Sequence, residues 1–175
     1  MEKTFSNTTI KLKKGDISNQ ADAGAIVNAA NAQLKVGGGV AGAIHRKGDP
    51  ELEELTRPLA PISPGEAVIT KAPNLPNDYV IHCLGPVYGR DTPSDKLLAN
   101  CYENALQLAE ENNVKVIAFP AISTGAFGYP TRDAAEIAIK TVRNSAEGLS
   151  TVERVHFVLF SDDALRIHEE VLESV

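Results

Sequence analysis

An α/β fold, a mixed sheet covered by helices on both faces, is what this sequence predicts, and three observations predict it. Apolar runs of strand length alternate with amphipathic runs of helix length along the whole chain. Val114 to Ile122 (VKVIAFPAI) is almost continuously apolar, as a central strand buried on both faces would be. Two loops also share one grammar: an apolar strand, then small residues, then the start of a helix.

Thr8 to Lys13 (TTIKLK) alternates polar and apolar like a half-buried strand and stops at the turn Gly15-Asp16-Ile17. Ala25 to Ala29 is the next strand. A polar segment with Asn28 and Asn31, the triplet Gly37 to Gly39 and a helix from about Val40 to Lys47 follow it. Asp49-Pro50 reads as a cap and first-turn proline of a short helix, PELEELTR, ending near Pro58. Pro58 to Gly65 is loop. Glu66 to Lys71 and Tyr79 to Leu84 are strands joined by the turn-rich APNLPND. Ser94 is expected to cap a long helix to about Asn112, with Leu97, Leu98, Tyr102, Ala105, Leu106 and Ala109 at helical spacing. After the central strand come Ser123 to Pro130, a helix from about Thr131 to Ser145, a strand at Val155 to Phe160 and a last helix at Asp162 to Leu172.

The 175 residues suit a single domain, 1–175, with 43% hydrophobic and 23% charged residues. No apolar run approaches a membrane span, and MEKTFSNTT lacks the apolar core of a signal peptide, so a cytoplasmic protein without membrane contact is expected. Cys83 and Cys101 form no CxxC or Cys/His cluster and read as buried thiols. The formal charge of −6 argues against a long nucleic acid as partner, but not against a small anion. Backbone donors and helix ends hold phosphates without any net positive charge.

The functional signal is in the two loops. Glycine lets backbone N–H groups approach a ligand, and the helix behind aims its unpaired N–H groups at the same spot. Gly37 to Gly42 and Ser123 to Gly128 are therefore expected to clasp one diphosphate, with two side-chain amides, Asn28 and Asn31, before the first. Gly37, Gly39 and Gly42 formally match G-x-G-x-x-G, but nine residues, Asn28 to Val36, separate them from the strand interior and no acid sits where that fingerprint requires one. Ser123 lacks the glycine two residues earlier that a nucleophile elbow uses, so covalent serine chemistry is not expected. Asp16 reads equally as a turn cap and as an acceptor for a base or sugar. No pair among His45, His82, His156 and His168 has metal-ligand spacing, so neither metal nor organic cofactor is expected.

Four segments in order, VNAAN at Val27 to Asn31, GGGVAGAIH at Gly37 to His45, VIHCLGP at Val80 to Pro86 and AFPAISTGAFGYP at Ala118 to Pro130, together resemble the macro domain family. The resemblance covers about Ile10 to Leu172 and is strongest to stand-alone bacterial and archaeal members, including MacroD-type hydrolases. It implies a three-layer α/β/α sandwich with a six-stranded mixed sheet and ADP-ribose or an ADP-ribosylated protein as partner; a monomer is expected. By motif, Asp16 would accept the adenine amino group, Ile17 would give a backbone N–H, and Phe160 would stack on adenine. The backbone at Gly38, Gly39, Val40, Ala41 and Gly42 and at Ser123, Thr124, Gly125, Ala126 and Phe127 would hold the diphosphate. Phe127 would also cover the distal ribose, Asn31 would bond it, and Asn31 and His45 would assist a hydrolytic water. The implied activity is hydrolysis of mono-ADP-ribosyl esters on acidic side chains, or of O-acetyl-ADP-ribose, without a covalent intermediate. A non-catalytic reader and an ADP-ribose 1″-phosphate phosphatase are the alternatives. One departure bears on catalysis: MacroD-type hydrolases usually carry aspartate where this chain has Ala41.

Overall fold

A computed structural model describes all residues, 1–175. Seven strands, β1 (Glu2–Phe5), β2 (Thr8–Lys14), β3 (Ala25–Ala29), β4 (Ala67–Lys71), β5 (Tyr79–Cys83), β6 (Val116–Phe119) and β7 (Arg154–Leu159), form one sheet in the order β1-β2-β7-β6-β3-β5-β4. The five inner strands run parallel, while β1 and β4 pair antiparallel at the edges. The sheet thus has seven strands rather than six. The extra one, β1, is four exposed or half-exposed residues that pair Glu2 to Phe5 against Lys11 to Thr8, with Lys3 bonded to the Leu172 carbonyl and Phe5 packed at the edge of the main core.

The helices are α1 (Gly39–Gly48), α2 (Glu51–Thr56), α3 (Ser94–Glu111), α4 (Thr131–Ser145) and α5 (Asp162–Glu173). Helices α3, α4 and α5 cover one face, and their apolar stripes meet Ile10, Val27, Ile81, Ile117 and Phe157 in the main core. Helices α1 and α2 cover the other, where Ile44 and Leu52 pack on Ile26, Val80 and Ala118. Strand residues two apart share a face, so the same strands feed both cores. Cys83 and Cys101 are buried free thiols, and burial pushes Cys101 up to about 12. No helix is long and apolar enough to cross a membrane.

Two local expectations are corrected. Ser94 does not cap α3: Pro93 holds the cap position, and the Ser94 hydroxyl donates to the Asp91 carbonyl at 2.5 Å. The short helix runs only over Glu51–Thr56 and tightens into a 3-10 turn at Arg57–Leu59. Its first-turn amide, that of Glu53, does find the Asp49 carboxylate at 3.0 Å.

Far from the glycine loops, the Glu110 carboxylate gathers the amides of Ser150, Thr151 and Val152 (3.1, 2.7 and 2.6 Å) and so fixes the approach to β7. Partial burial pushes this carboxyl up, but the three amides and the Ser150 hydroxyl outweigh it and hold it below its ordinary value. A depressed folded-state value stabilises above the unfolded carboxyl range and is lost as pH falls through the folded value. Glu110→Gln is expected to cost about 1 kcal/mol at pH 7, after allowing for solvent screening. Its thermal midpoint should converge with wild type in acid. A deficit that persists unchanged at pH 3 would contradict the assignment.

Candidate functional site

Because the five inner strands are parallel, their carboxyl ends gather along one crest. Along it stand Asp16 after β2, Phe160 after β7, the Ser123 loop after β6, the glycine loop after β3 and Gly85 to Arg90 after β5. Four strand spacings of about 4.8 Å make that row roughly 19 Å long. At its centre the two glycine-bearing loops face each other across a cleft of about 310 Å³.

The cleft is a display of backbone donors. Helix α1 begins at Gly39 with no side-chain cap and no acid in its first turn. The N–H groups of Gly38, Gly39, Val40 and Ala41 have no protein acceptor, and neither do those of Ser123, Gly125, Ala126 and Phe127 opposite. Two expected donors are occupied: Gly42 N–H bonds the Gly38 carbonyl (3.2 Å) and Thr124 N–H the Ala121 carbonyl (3.4 Å). Glycines Gly37 to Gly39 are exposed, and Gly39 has φ +54, so a side chain there would strain the helix start.

The opposite loop is braced from below. Ser123 is a non-glycine residue at φ +68, held there because its hydroxyl donates to the Pro86 carbonyl at 2.8 Å. That bond ties the β6 loop to the β5 loop and turns Oγ away from nucleophilic work. The Tyr102 hydroxyl on α3 donates to the Pro120 carbonyl (3.4 Å) and accepts the Ile122 amide (3.3 Å). Gly85 is a site residue the sequence reading missed: a β-carbon there would overlap the Ser123 hydroxyl and the Ile122 methyl. Ala29, Ala30, Ala121 and Ile122 complete the walls, equally unforeseen. All five lie in the segments that carry the family resemblance, but the close approach of Gly85 to Ser123 shows only once the loops after β5 and β6, strands separated by β3, are seen to meet above the sheet.

Asn31 lies in the cleft wall, and its amide clamps its own loop, with Nδ2 donating to the Lys35 carbonyl (2.8 Å) and Oδ1 accepting the Lys35 amide (3.1 Å). One N–H and one lone pair remain for a ligand. Asn28 is corrected. It is fully buried under the crest, and its Nδ2 donates to His82 Nδ1 at 3.1 Å. The Thr70 hydroxyl donates to the Lys71 carbonyl (2.9 Å) and so accepts from His82 Nε2 (3.0 Å). Burial and the neighbouring His45 lower His82 to about 3, keeping it neutral. Asn28 therefore serves the inter-strand network, not the ligand. His45 is corrected as well: fully buried one turn below Ala41, it holds Asp49 through Nδ1 at 2.9 Å and does not line the cleft.

At the β2–β7 end, Asp16 Oδ1 accepts the Ser18 hydroxyl (2.7 Å) and amide (2.8 Å), which lower its carboxyl and leave Oδ2 open. Ile17 is buried beneath it. Phe160, beside it on the crest, is 89% exposed, an aromatic face with nothing over it. A wider hollow at the opposite end of the sheet, by Lys71 and Tyr79, has no comparable convergence; both donors of its Asn77 already bond the Gln20 and Ala23 carbonyls.

The profile of the macro domain matches residues 27–138, which span both loops. This chain is a macro domain. It is 46% identical over 165 residues to the O-acetyl-ADP-ribose deacetylase of Klebsiella pneumoniae, covering 91% of this chain and 94% of that one. The Oceanobacillus iheyensis macrodomain, solved with ADP, superposes with a TM-score of 0.93 at 38% identity, covering 99% and 95% of the two chains. The Trypanosoma brucei macrodomain, solved with ADP-ribose, gives 0.84 at 36% identity, covering 93% of this macro domain and 68% of that chain.

Proposed function

We propose that this macro domain binds ADP-ribose along the crest and hydrolyses esters of it, either O-acetyl-ADP-ribose or mono-ADP-ribose on acidic side chains. The observation that carries the reading is the two facing rows of unpaired amides. They suit a diphosphate, which accepts many hydrogen bonds and brings charge to an uncapped helix start. Asp16 and Phe160, two strands and one strand from the Ser123 loop, suit an adenine: an acceptor for its amino group and a ring for its face. Asn31 and Phe127, at the other end of the cleft, suit the distal ribose. The Klebsiella relative's name and the ADP-ribose complex of the Trypanosoma neighbour support the same ligand.

The chemistry is constrained by what the cleft lacks. Its lining residues are Ala29, Ala30, Asn31, Gly37 to Ala41, Gly85, Ala121 to Ser123 and Gly125 to Phe127, and no titratable side chain is among them. The proton of an attacking water then goes to the substrate, its own phosphate being the nearest base, while Asn31 holds the sugar in place. General acid–base help from a side chain is typically worth ~10²–10⁴-fold, so turnover is expected to be slow. The same observation favours a second reading, a reader that binds and does not cleave.

Single-turnover hydrolysis of O-acetyl-ADP-ribose and of a glutamate-linked ADP-ribosylated protein separates the two. Release above buffer that falls with Asn31→Ala supports the enzyme; intact ADP-ribose binding with no release leaves the reader. Asp16→Asn replaces an acceptor by a donor opposite the adenine amino group. It is expected to weaken ADP-ribose roughly tenfold, the net worth of a charge-assisted hydrogen bond, and to leave ribose 5-phosphate unchanged by calorimetry. Equal losses for both ligands would remove Asp16 from the adenine end.

A further inference from the structure

In the cleft wall opposite the glycine triplet, the carbonyls are engaged and the amides are not. The Ala121 carbonyl accepts the Thr124 amide (3.4 Å) and hydroxyl (2.8 Å). The Ser123 carbonyl accepts the Tyr129 amide (2.9 Å), and the Gly125 carbonyl the Gly128 amide (3.0 Å). The amides of Ser123, Gly125, Ala126 and Phe127 have no protein acceptor. A segment whose carbonyls bond to their own protein leaves its N–H dipoles for an anion.

The segment after β5 backs this loop along its length. It grips the loop at two points: the Pro86 carbonyl accepts the Ser123 hydroxyl at 2.8 Å, and the Tyr88 amide donates to the Phe127 carbonyl at 2.9 Å. Beyond the second point the Tyr88 and Tyr129 rings pack with centroids 4.7 Å apart. Gly85 clears the space for the first grip, since a β-carbon there would stand 2.2 Å from Ser123 Oγ. Ser123 is buried and sits at φ +68, a left-handed conformation that a residue with a β-carbon keeps only where its surroundings hold it. It is also the first residue of the amide row, so a change in its backbone re-aims the amides that follow.

We infer that the Ser123 hydroxyl is a positioning group for the diphosphate. It touches no ligand; its bond to Pro86 holds the strained backbone and so sets the fraction of molecules whose amide row is ready to bind. The inference rests on the ADP-ribose reading of the cleft and deepens it. Apparent affinity falls in proportion to the binding-competent fraction. Alanine at this position removes the latch and keeps the strain. Glycine removes the latch but adopts positive φ freely. Affinity for a diphosphate therefore follows the order serine, glycine, alanine.

Calorimetry with ADP on the full chain tests the order, beside an NMR titration with adenosine, which carries no phosphate. Ser123→Ala is expected to bind ADP roughly tenfold more weakly than wild type and Ser123→Gly about threefold, as a competent fraction reduced to those extents gives. Adenosine should bind all three proteins alike. Melting curves show that each protein is folded at the titration temperature. Should the alanine variant not fold, the unstrained glycine variant still reads the latch through its loss of ADP against unchanged adenosine. Wild-type affinity for ADP in both variants overturns the latch. Parallel losses of ADP and adenosine mean general loosening and overturn it too. Equal ADP losses in the two variants would make the hydroxyl a direct ligand contact, again against the inference. If wild type binds neither ADP nor ADP-ribose, the ligand reading falls and this inference falls with it.

Discussion

Gly42→Ala is expected to reduce ADP-ribose affinity by ~10²-fold or more while leaving the protein folded. Gly42 lies in the first turns of α1, where a β-carbon would stand 2.5 Å from the Gly37 carbonyl oxygen and 2.8 Å from Arg46 Nη1. The arginine can swing aside, but the carbonyl is backbone, so the loop before the helix must move. That loop carries the Gly38 and Gly39 amides, and a hydrogen bond to a charged group is worth about 1.5–3 kcal/mol. Losing two, at 1.4 kcal/mol per factor of ten, gives ~10²–10⁴. Alanine in a helix is otherwise favourable by about 1 kcal/mol over glycine, so the thermal midpoint should hold. Calorimetry beside a melting curve separates binding from folding. An alanine variant that binds like wild type would show that the Gly37 to Gly39 amides do not hold the phosphates.

The same residues show where sequence reading reaches and where it stops. Ala25 to Ala29 and Thr131 to Ser145 have the limits expected of them, because apolar runs and amphipathic periods are local properties. Strand β1 is not local: polar and half exposed, it exists because β2 offers it a ladder. In the site, glycine placement announces close approach, but which amides are free depends on distant acceptors, as Gly42 and Thr124 show. The inward turn of Asn28 had a signal that went unread. Ile26 and Asn28 share one face of β3, Val80 and His82 share the matching face of β5, and parallel pairing sets Asn28 beside His82. Two polar residues at matched positions in adjoining buried strands point to each other before they point to a ligand. His45 had none, since its burial follows from Asp49 joining the end of α1 to the start of α2.

Ala41→Asp is expected to raise ester hydrolysis by roughly 10²-fold, the lower range of what a positioned acid–base group contributes. Position 41 lines the cleft, in a wall that otherwise offers no titratable group, so a carboxylate there would be the first side-chain base beside the substrate. The helix tolerates it. Ala41 is three residues past the cap position Gly38, in a first turn with no acid, where a negative charge is stabilised by about 0.3–1 kcal/mol. His45 sits one turn below with its Nε2 unpaired and Nδ1 on Asp49, so the new carboxylate gains a neighbour at helical spacing. The same charge stands among the amides that hold the diphosphate, and repulsion is expected to weaken ADP-ribose several-fold. Ala41→Asn matches the size without the charge and should give neither the rate nor the repulsion. Single-turnover rates for the three proteins decide the matter: an asparagine variant as fast as the aspartate one would mean that shape, not a base, limits the reaction. An unchanged rate with aspartate in place would mean that the substrate phosphate already does all the proton transfer this cleft can use.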